Sequence, residues 1–92
     1  MMVLRRTLTV VNQRGLHARA SAKFVGAVAT LPDETKVWVA KDGHQSAGGS
    51  ILGLMMLGAA KGDQIEVVVD GGDEAAVMDE LASLVTGGFG EE

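Results

Sequence analysis

At 92 residues, with 47% hydrophobic and 22% charged side chains, the chain is long enough for one small domain and too short for a catalytic domain with a lid. No segment approaches the ~20 consecutive apolar residues of a membrane span, and no basic stretch followed by an apolar run indicates a secretory signal. The absence of cysteine excludes disulfides and thiolate metal sites. We expect a single cytoplasmic domain over residues 1–92, without membrane insertion.

The formal net charge of −4 is unevenly distributed along the chain. Residues 1–32 carry five basic side chains and no acidic ones, whereas residues 33–92 carry three lysines and all twelve acidic residues. The N-terminal third is therefore the expected place for an anion or an acidic partner to bind. Because the chain has only three aromatic side chains and no long basic stripe, nucleic acid is not expected as a partner.

The first half of the chain is predicted to form a strand, a helix and a hairpin. Apolar and polar residues alternate over residues 2–11, as in a strand with one wet face. Over residues 18–31 the apolar positions recur at helical spacing, and Pro32 ends the helix. Residues 35–40 and 44–47 flank an Asp-Gly pair, which is a favoured hairpin turn, so two antiparallel strands are expected there.

The second half is predicted to form a short helix, a strand and a longer helix. The apolar run after Ser50 favours a two-turn helix that ends near Gly58. A strand over residues 64–69 and a helix over residues 73–86 follow, and the glycine-rich segment 87–92 is expected to be a flexible tail. The order β-α-β-β-α-β-α, with amphipathic strands, predicts an antiparallel sheet with helices on one face.

A histidine stands at the start of the first predicted helix, in the segment G-L-H-A-R-A-S. The first turn of a helix has N–H groups without intrahelical partners and roughly +0.5 charge. Gly15, Leu16 and His17 offer no hydroxyl or carboxylate cap, so these groups are expected to bind an external anion, with Arg19 adding positive charge. A neutral imidazole beside such a site has a free lone pair and can accept a phosphoryl group without a general base. A bystander or capping histidine is the alternative.

Two segments of the chain resemble the same known family. G-L-H-A-R-A-S-A-K-F, residues 15–24, resembles the active-site segment of HPr, the histidine-containing phosphocarrier family of the bacterial phosphotransferase system. G-S-I-L-G-L-M-M-L-G-A-A-K-G-D, residues 49–63, resembles the regulatory-serine helix of that family. The two motifs, the order of elements and the length extend the resemblance over nearly the whole chain.

The resemblance implies a fold, a function and roles for particular residues. The fold is α+β, an open-faced β-sandwich with three helices on one face of a four-stranded antiparallel sheet. The function is that of a carrier without turnover of its own, which takes phosphate from phosphoenolpyruvate by way of enzyme I and passes it to EIIA-type proteins. His17 would accept the phosphoryl group through Nδ1, and Arg19 would stabilise the phosphorylated state. Relatives often have proline where this chain has Ala20, so we expect altered local rigidity and phosphohistidine lifetime with the carrier role retained.

Ser50 immediately precedes the second predicted helix. Serine is a good N-cap, which explains the residue without any further role. The resemblance implies in addition a regulatory site phosphorylated by HPr kinase/phosphorylase, and the two roles are compatible. A phosphate there would add about −2 charge and repel an acidic partner.

The second predicted helix is apolar nearly all round, although two turns cannot bury every side chain in so small a domain. Either the helix is fully buried, or Leu52 and Met55 face solvent and form a protein interface. The family resemblance favours the interface, used in turn by enzyme I and EIIA proteins. Besides His17 and Arg19, the residues expected to contact partners are Leu16, Ala20, Lys23, Ile51, Leu52 and Met55.

The remaining features do not indicate a further site. His44 has no second ligand near it and is expected to be a surface bystander, so neither a metal nor another cofactor is predicted. A monomer is expected. Two alternative functions stay open: a non-catalytic regulatory domain that docks acidic proteins, and a small phosphate-ligand module. Within the family, the choice between the sugar-uptake branch and the regulatory, nitrogen-related branch also stays open. The glycine-rich second motif and Ala20 resemble the regulatory relatives, but no residue decides between the two.

Overall fold

Four β-strands and three α-helices follow one another along residues 3–91, the part of the chain that this computed structural model describes. Their order confirms the predicted one. The elements are β1 (Val3–Thr9), α1 (Ala18–Ala29), β2 (Lys36–Lys41), β3 (His44–Ala47), α2 (Ile51–Met56), β4 (Gln64–Asp70) and α3 (Glu74–Thr86), followed by a single 3-10 turn at Gly88–Gly90. No helix within this range has the length and apolar character needed to cross a bilayer.

The strands form one antiparallel sheet in the order β1-β4-β2-β3. The last strand in the chain, β4, lies in the interior of the sheet, where it pairs with β1 along its whole length and with β2 over residues 36–40. Its β-branched residues suit a strand with neighbours on both sides. Val67 and Val69 belong to the main core, whereas Val68 points to the other face, opposite Trp38 in the register.

The helices pack against one face of this sheet. α3 lies against β1 and β4, α2 contacts β3, and α1 contacts both other helices. Each helix contributes a fully buried side chain to a common core with β4, namely Phe24, Leu54 and Leu81. The predicted α+β open-faced sandwich is thereby confirmed, and in it α1 lies beside α2.

The C-terminal segment is packed, which differs from the flexible tail expected at 87–92. Phe89 is 1% exposed and belongs to the core cluster. Its φ of 57° lies in the left-handed region, which is unusual for a bulky residue, and burial of an aromatic ring offsets that conformational cost. The Phe89 carbonyl also accepts a hydrogen bond from Lys23 Nζ at 2.6 Å. The tail therefore folds back onto α1 as far as Glu91, and Glu92 lies outside the described residues.

Candidate functional site

The loop before α1 is held in one conformation by contacts with the segment after α2. Gly15 adopts φ +62°, and a Cβ on it would lie 2.1 Å from the carbonyl oxygen of Ala59. That same oxygen accepts the Leu16 N–H at 3.0 Å, and Asn12 Nδ2 donates to the Gly15 carbonyl at 2.8 Å. These contacts fix the chain direction at His17, the residue that follows.

His17 is itself the N-cap of α1. Its backbone is extended, with φ −74° and ψ −179°, and its Nδ1 accepts the Arg19 N–H at 3.2 Å. The expectation that the helix start lacks a side-chain cap is therefore wrong, because a ring nitrogen with a lone pair caps as an oxygen would. Of the first four N–H groups of the helix, which have no intrahelical partner, one is taken by the imidazole.

The second ring nitrogen of His17 contacts the C-terminal tail. Nε2 lies 2.6 Å from Oε2 of Glu91, and the two side chains are only 15% and 18% exposed. Because a neutral imidazole has one donor and one acceptor nitrogen, acceptance at Nδ1 assigns the hydrogen to Nε2, which donates it to the carboxylate. Nδ1 is then the nitrogen with the lone pair. Sequence reasoning missed Glu91, since no local pattern relates residues 17 and 91.

The Glu91 carboxylate has two protein donors. Besides His17, Asn12 Nδ2 donates to its Oε1 at 3.1 Å. Burial raises the pKa of the Glu91 carboxyl, but the hydrogen bonds from Asn12 and His17 and the nearby positive charge of Lys23 hold it below its usual value. The carboxylate is therefore ionised at neutral pH.

This lowered pKa predicts a contribution to acid stability. A carboxyl with a depressed folded-state pKa stabilises the fold above its unfolded value, near 4.5, and that stabilisation is lost as the pH falls through the lower, folded value. We expect the free energy of unfolding of Glu91→Gln to decline less steeply below pH 4.5 than that of the parent. Urea titrations at a series of pH values measure this free energy, and Glu80→Gln, at an exposed position, is the matched control. If the free energies of unfolding of the parent and of Glu91→Gln declined in parallel as the pH falls, the lowered pKa of Glu91 would be contradicted.

Positive charge around His17 comes from a subset of the basic N-terminal residues. Arg5 pairs with Glu66 at 3.3 Å and Arg6 with Asp79 at 3.4 Å, so these two arginines are partly neutralised on the sheet and α3. Within residues 3–91 Arg19 forms no ion pair, and it is exposed two positions after His17. Arg19 is thus available to an external anion at the helix start.

Two of the residues expected to contact partners are buried instead. Leu16 is 5% exposed and Ala20 is 0% exposed, because both side chains belong to the core cluster beneath the start of α1. They support the site from below and cannot line a docking surface. The Ala20 N–H is among the helix N–H groups without an intrahelical partner, so proline at this position would remove no helix hydrogen bond.

The other expected contacts lie at the surface. Lys23 is exposed, although its ammonium group is held by the Phe89 carbonyl. On α2, whose Leu54 is buried, four apolar side chains remain exposed and form what we call the α2 apolar surface: Ile51, Leu52, Met55 and Met56. Met56, at 77% exposed the most open of the four, was not among the predicted contacts. Since α2 packs beside α1, this surface and the His17 region lie on neighbouring helices.

Ser50 caps α2. Its Oγ accepts the Gly53 N–H at 2.9 Å, and its carbonyl accepts the Leu54 N–H at 3.0 Å. Ser50→Ala is expected to lower the free energy of unfolding by about 1 kcal/mol through loss of the cap. Urea denaturation measures the loss; Ser83→Ala, on an exposed position of α3 that caps no helix, is the control. Equal stability of parent and Ser50→Ala would contradict the capping role.

His44 and Ser50 line the same shallow groove, of about 410 Å³, between β3 and α2. His44 is exposed at the first position of β3, within residues 44–47. It is remote in sequence from the α1 start and makes no hydrogen bond to it within the described residues. Of the two histidines, His17 lies at a helix N-terminus, whereas His44 lies on a strand.

The fold has a well-defined counterpart among solved structures. The crystal structure of HPr-C-His from Thermoanaerobacter tengcongensis superposes with a TM-score of 0.89 at 34% sequence identity, covering 97% of this chain and 98% of that one. HPr from Bacillus anthracis superposes with a TM-score of 0.85 at 27% identity, covering 92% of this chain and 99% of that one. The domain thus has the HPr type of open-faced sandwich, with its histidine at the start of α1.

Sequence comparison extends this likeness to the whole chain. Residues 4–87 match the family described as PTS HPr component phosphorylation site. The phosphocarrier protein HPr of Neisseria meningitidis is 47% identical over 89 residues, and that of Cupriavidus necator is 39% identical over 89 residues; each alignment covers 97% of this chain and 98% of the relative. The chain belongs to the HPr family of phosphotransferase-system phosphocarriers.

Proposed function

We propose that the protein accepts a phosphoryl group on Nδ1 of His17 from enzyme I and passes it to EIIA-type proteins in the cytoplasm. The single observation that carries this is the state of the imidazole: Nε2 donates to Glu91, and Nδ1 directs its lone pair to the N-terminus of α1. Membership of the HPr family supplies the class of partner. The protein is then a substrate of other enzymes and has no turnover of its own.

The N-terminus of α1 favours the phosphorylated state. In the unphosphorylated protein the Nδ1 lone pair accepts the Arg19 N–H. A phosphoryl group on Nδ1 would replace that lone pair and bring its oxygens close to the helix N–H groups, at the positive end of the helix dipole. The Arg19 guanidinium can donate charge-assisted hydrogen bonds to the same oxygens. The helix start and Arg19 therefore offset the added negative charge.

The α2 apolar surface is the proposed docking site for both partners. Exposed apolar side chains beside a basic helix suit a partner with an apolar patch rimmed by acidic residues. We propose that Ser50 phosphorylation, where a kinase is present, regulates docking, since it would add about −2 charge at the edge of this surface. The oxygens of the phosphate could still accept the Gly53 N–H, so the helix cap need not be lost.

Phosphorylation by enzyme I tests the proposal. With phosphoenolpyruvate and enzyme I, the parent protein should gain about 80 Da, the mass of one phosphoryl group, in an acid-labile form. His17→Ala should gain nothing, because it lacks the accepting nitrogen, whereas His44→Ala is the matched control and should behave as the parent. Intact-mass measurement before and after acid treatment reads the result. A mass gain that survives in His17→Ala would contradict the role of His17.

A binding function without phosphoryl transfer gives a different result in the same experiment. The parent would then gain no mass, and His17→Ala would bind its partners as the parent does. Leu52→Asp, on the α2 apolar surface, would weaken binding under either function. The mass gain, and not the effect of Leu52→Asp, therefore separates the carrier from a regulatory docking domain.

A further inference from the structure

We propose that Glu91 is a positioning residue that fixes the His17 imidazole with its hydrogen on Nε2 and its lone pair on Nδ1. The proposal rests on the proposed carrier function, because it concerns the nitrogen that accepts the phosphoryl group. It gives the C-terminal tail a part in the chemistry, since Glu91 lies on that tail and not on the helix that carries His17.

Both ring nitrogens of His17 have a hydrogen-bond partner. Nδ1 receives the Arg19 N–H at 3.2 Å, and Nε2 meets the Glu91 carboxylate at 2.6 Å, a short distance typical of a charge-assisted hydrogen bond. A ring held at both nitrogens cannot flip without breaking both contacts. Because the carboxylate lies at Nε2, it is on the far side of the ring from the position of the phosphoryl group.

The tail that carries Glu91 is anchored independently of His17. Phe89 is buried in the core and its carbonyl accepts Lys23 Nζ at 2.6 Å. The Glu91 N–H donates to the Gly88 carbonyl at 3.0 Å, which closes the turn. Asn12 Nδ2 donates both to the Gly15 carbonyl and to Glu91 Oε1, so one side chain joins the loop before α1 to the tail. The carboxylate is therefore brought to the ring by the fold and not by the attraction of His17 alone.

The transfer step balances with Glu91 in this position. The Nδ1 lone pair forms the nitrogen–phosphorus bond while the bond between phosphorus and the donor breaks, and that electron pair returns to the donor. The proton on Nε2 stays on the ring, which becomes positively charged at the moment of attack. A carboxylate that accepts this N–H stabilises the developing positive charge, as an orienting acid does for a catalytic histidine. The same arrangement serves the reverse step, transfer to the next acceptor.

Kinetics with enzyme I and magnetic resonance of the imidazole together test the proposal. In the parent, the Nε2–H proton should give a downfield resonance protected from exchange with water. In Glu91→Ala that resonance should be lost, and kcat for phosphorylation by enzyme I should fall about tenfold with KM unchanged, which corresponds to loss of a hydrogen bond to a charged group. Glu91→Gln retains an acceptor oxygen without the charge and should restore the resonance and part of the rate.

Controls separate this proposal from a structural role and from the proposed function. Glu80→Ala, on an exposed position of α3, should match the parent in both measurements. An unchanged resonance and rate in Glu91→Ala would overturn the positioning role, and so would a rise in KM with kcat unchanged. If the parent itself takes no phosphoryl group, the proposed function fails, while the resonance still decides whether Glu91 holds the ring.

Discussion

Gly15→Ala is expected to lower the free energy of unfolding by roughly 2 to 5 kcal/mol, a large loss for a single added methyl group. Two costs add at this position. The φ of +62° is strained for a residue with a side chain, and the new Cβ would lie 2.1 Å from the Ala59 carbonyl oxygen and 2.9 Å from the Ala60 Cα. Since both neighbours are backbone atoms, the loop before His17 must move away from the segment after α2.

Two matched glycines separate these costs. Gly43 has φ +82° but no atom within 4 Å of an added Cβ, so Gly43→Ala should show only the conformational cost, about 1 to 2 kcal/mol. Gly26 lies inside α1 with open space around it, and Gly26→Ala should stabilise the protein by about 0.5 to 1 kcal/mol. Urea denaturation orders the three variants. A Gly15→Ala variant no less stable than Gly43→Ala would show that the contact with Ala59 does not constrain the loop.

Phe24→Ala is the second large effect, a loss of about 3 to 5 kcal/mol. Phe24 is 1% exposed, on the face of α1 that meets the core, so its truncation removes a whole ring from close packing. For a domain whose total stability is about 5 to 15 kcal/mol, this is a large share. Met56→Ala, at an exposed apolar position, is the control and should change stability by less than about 0.5 kcal/mol. Equal losses for the two would contradict the position of Phe24.

Most of the fold could be predicted from local patterns. Period-two alternation identified β1, helical spacing identified α1 and α3, and residue type with turn and cap signals identified the remaining strands and α2. Ser50 as a cap and the Asp-Gly turn were equally local, since their hydrogen bonds and dihedral angles involve neighbours in the chain. The exposure of Leu52 and Met55 is one of the two alternatives that the sequence left open for this helix, because two turns are too short for local patterns to decide which side chains are covered.

What could not be predicted depends on contacts between distant residues. Nothing near Phe89 in the sequence indicates that its ring enters the core or that its carbonyl meets Lys23, and its glycine neighbours suggest looseness. The contact between His17 and Glu91 joins residues far apart in the chain and escapes local patterns for the same reason. Leu16 and Ala20 were expected to contact partners, yet a helix start that rests on the core buries the residues on its inner side.

These distant contacts alter the view of the basic N-terminal third. The sequence places every acidic residue after position 32, which suggests a cationic surface open to an anion. In the folded protein, Glu66 pairs with Arg5 and Asp79 pairs with Arg6. Glu91 contacts His17. Among the basic residues of this third, Arg14, Arg19 and Lys23 form no ion pair within residues 3–91, and Arg19 is the one whose N–H contacts Nδ1 of His17.

Phosphorus–nitrogen coupling measures most directly whether Nδ1 of His17 carries the phosphoryl group. The protein would be prepared with isotope-labelled imidazole, phosphorylated by enzyme I and phosphoenolpyruvate, and observed by magnetic resonance at alkaline pH. We expect coupling of phosphorus to Nδ1 of His17 and to no other ring nitrogen. Coupling to Nε2, or to either nitrogen of His44, would contradict the proposed role of His17.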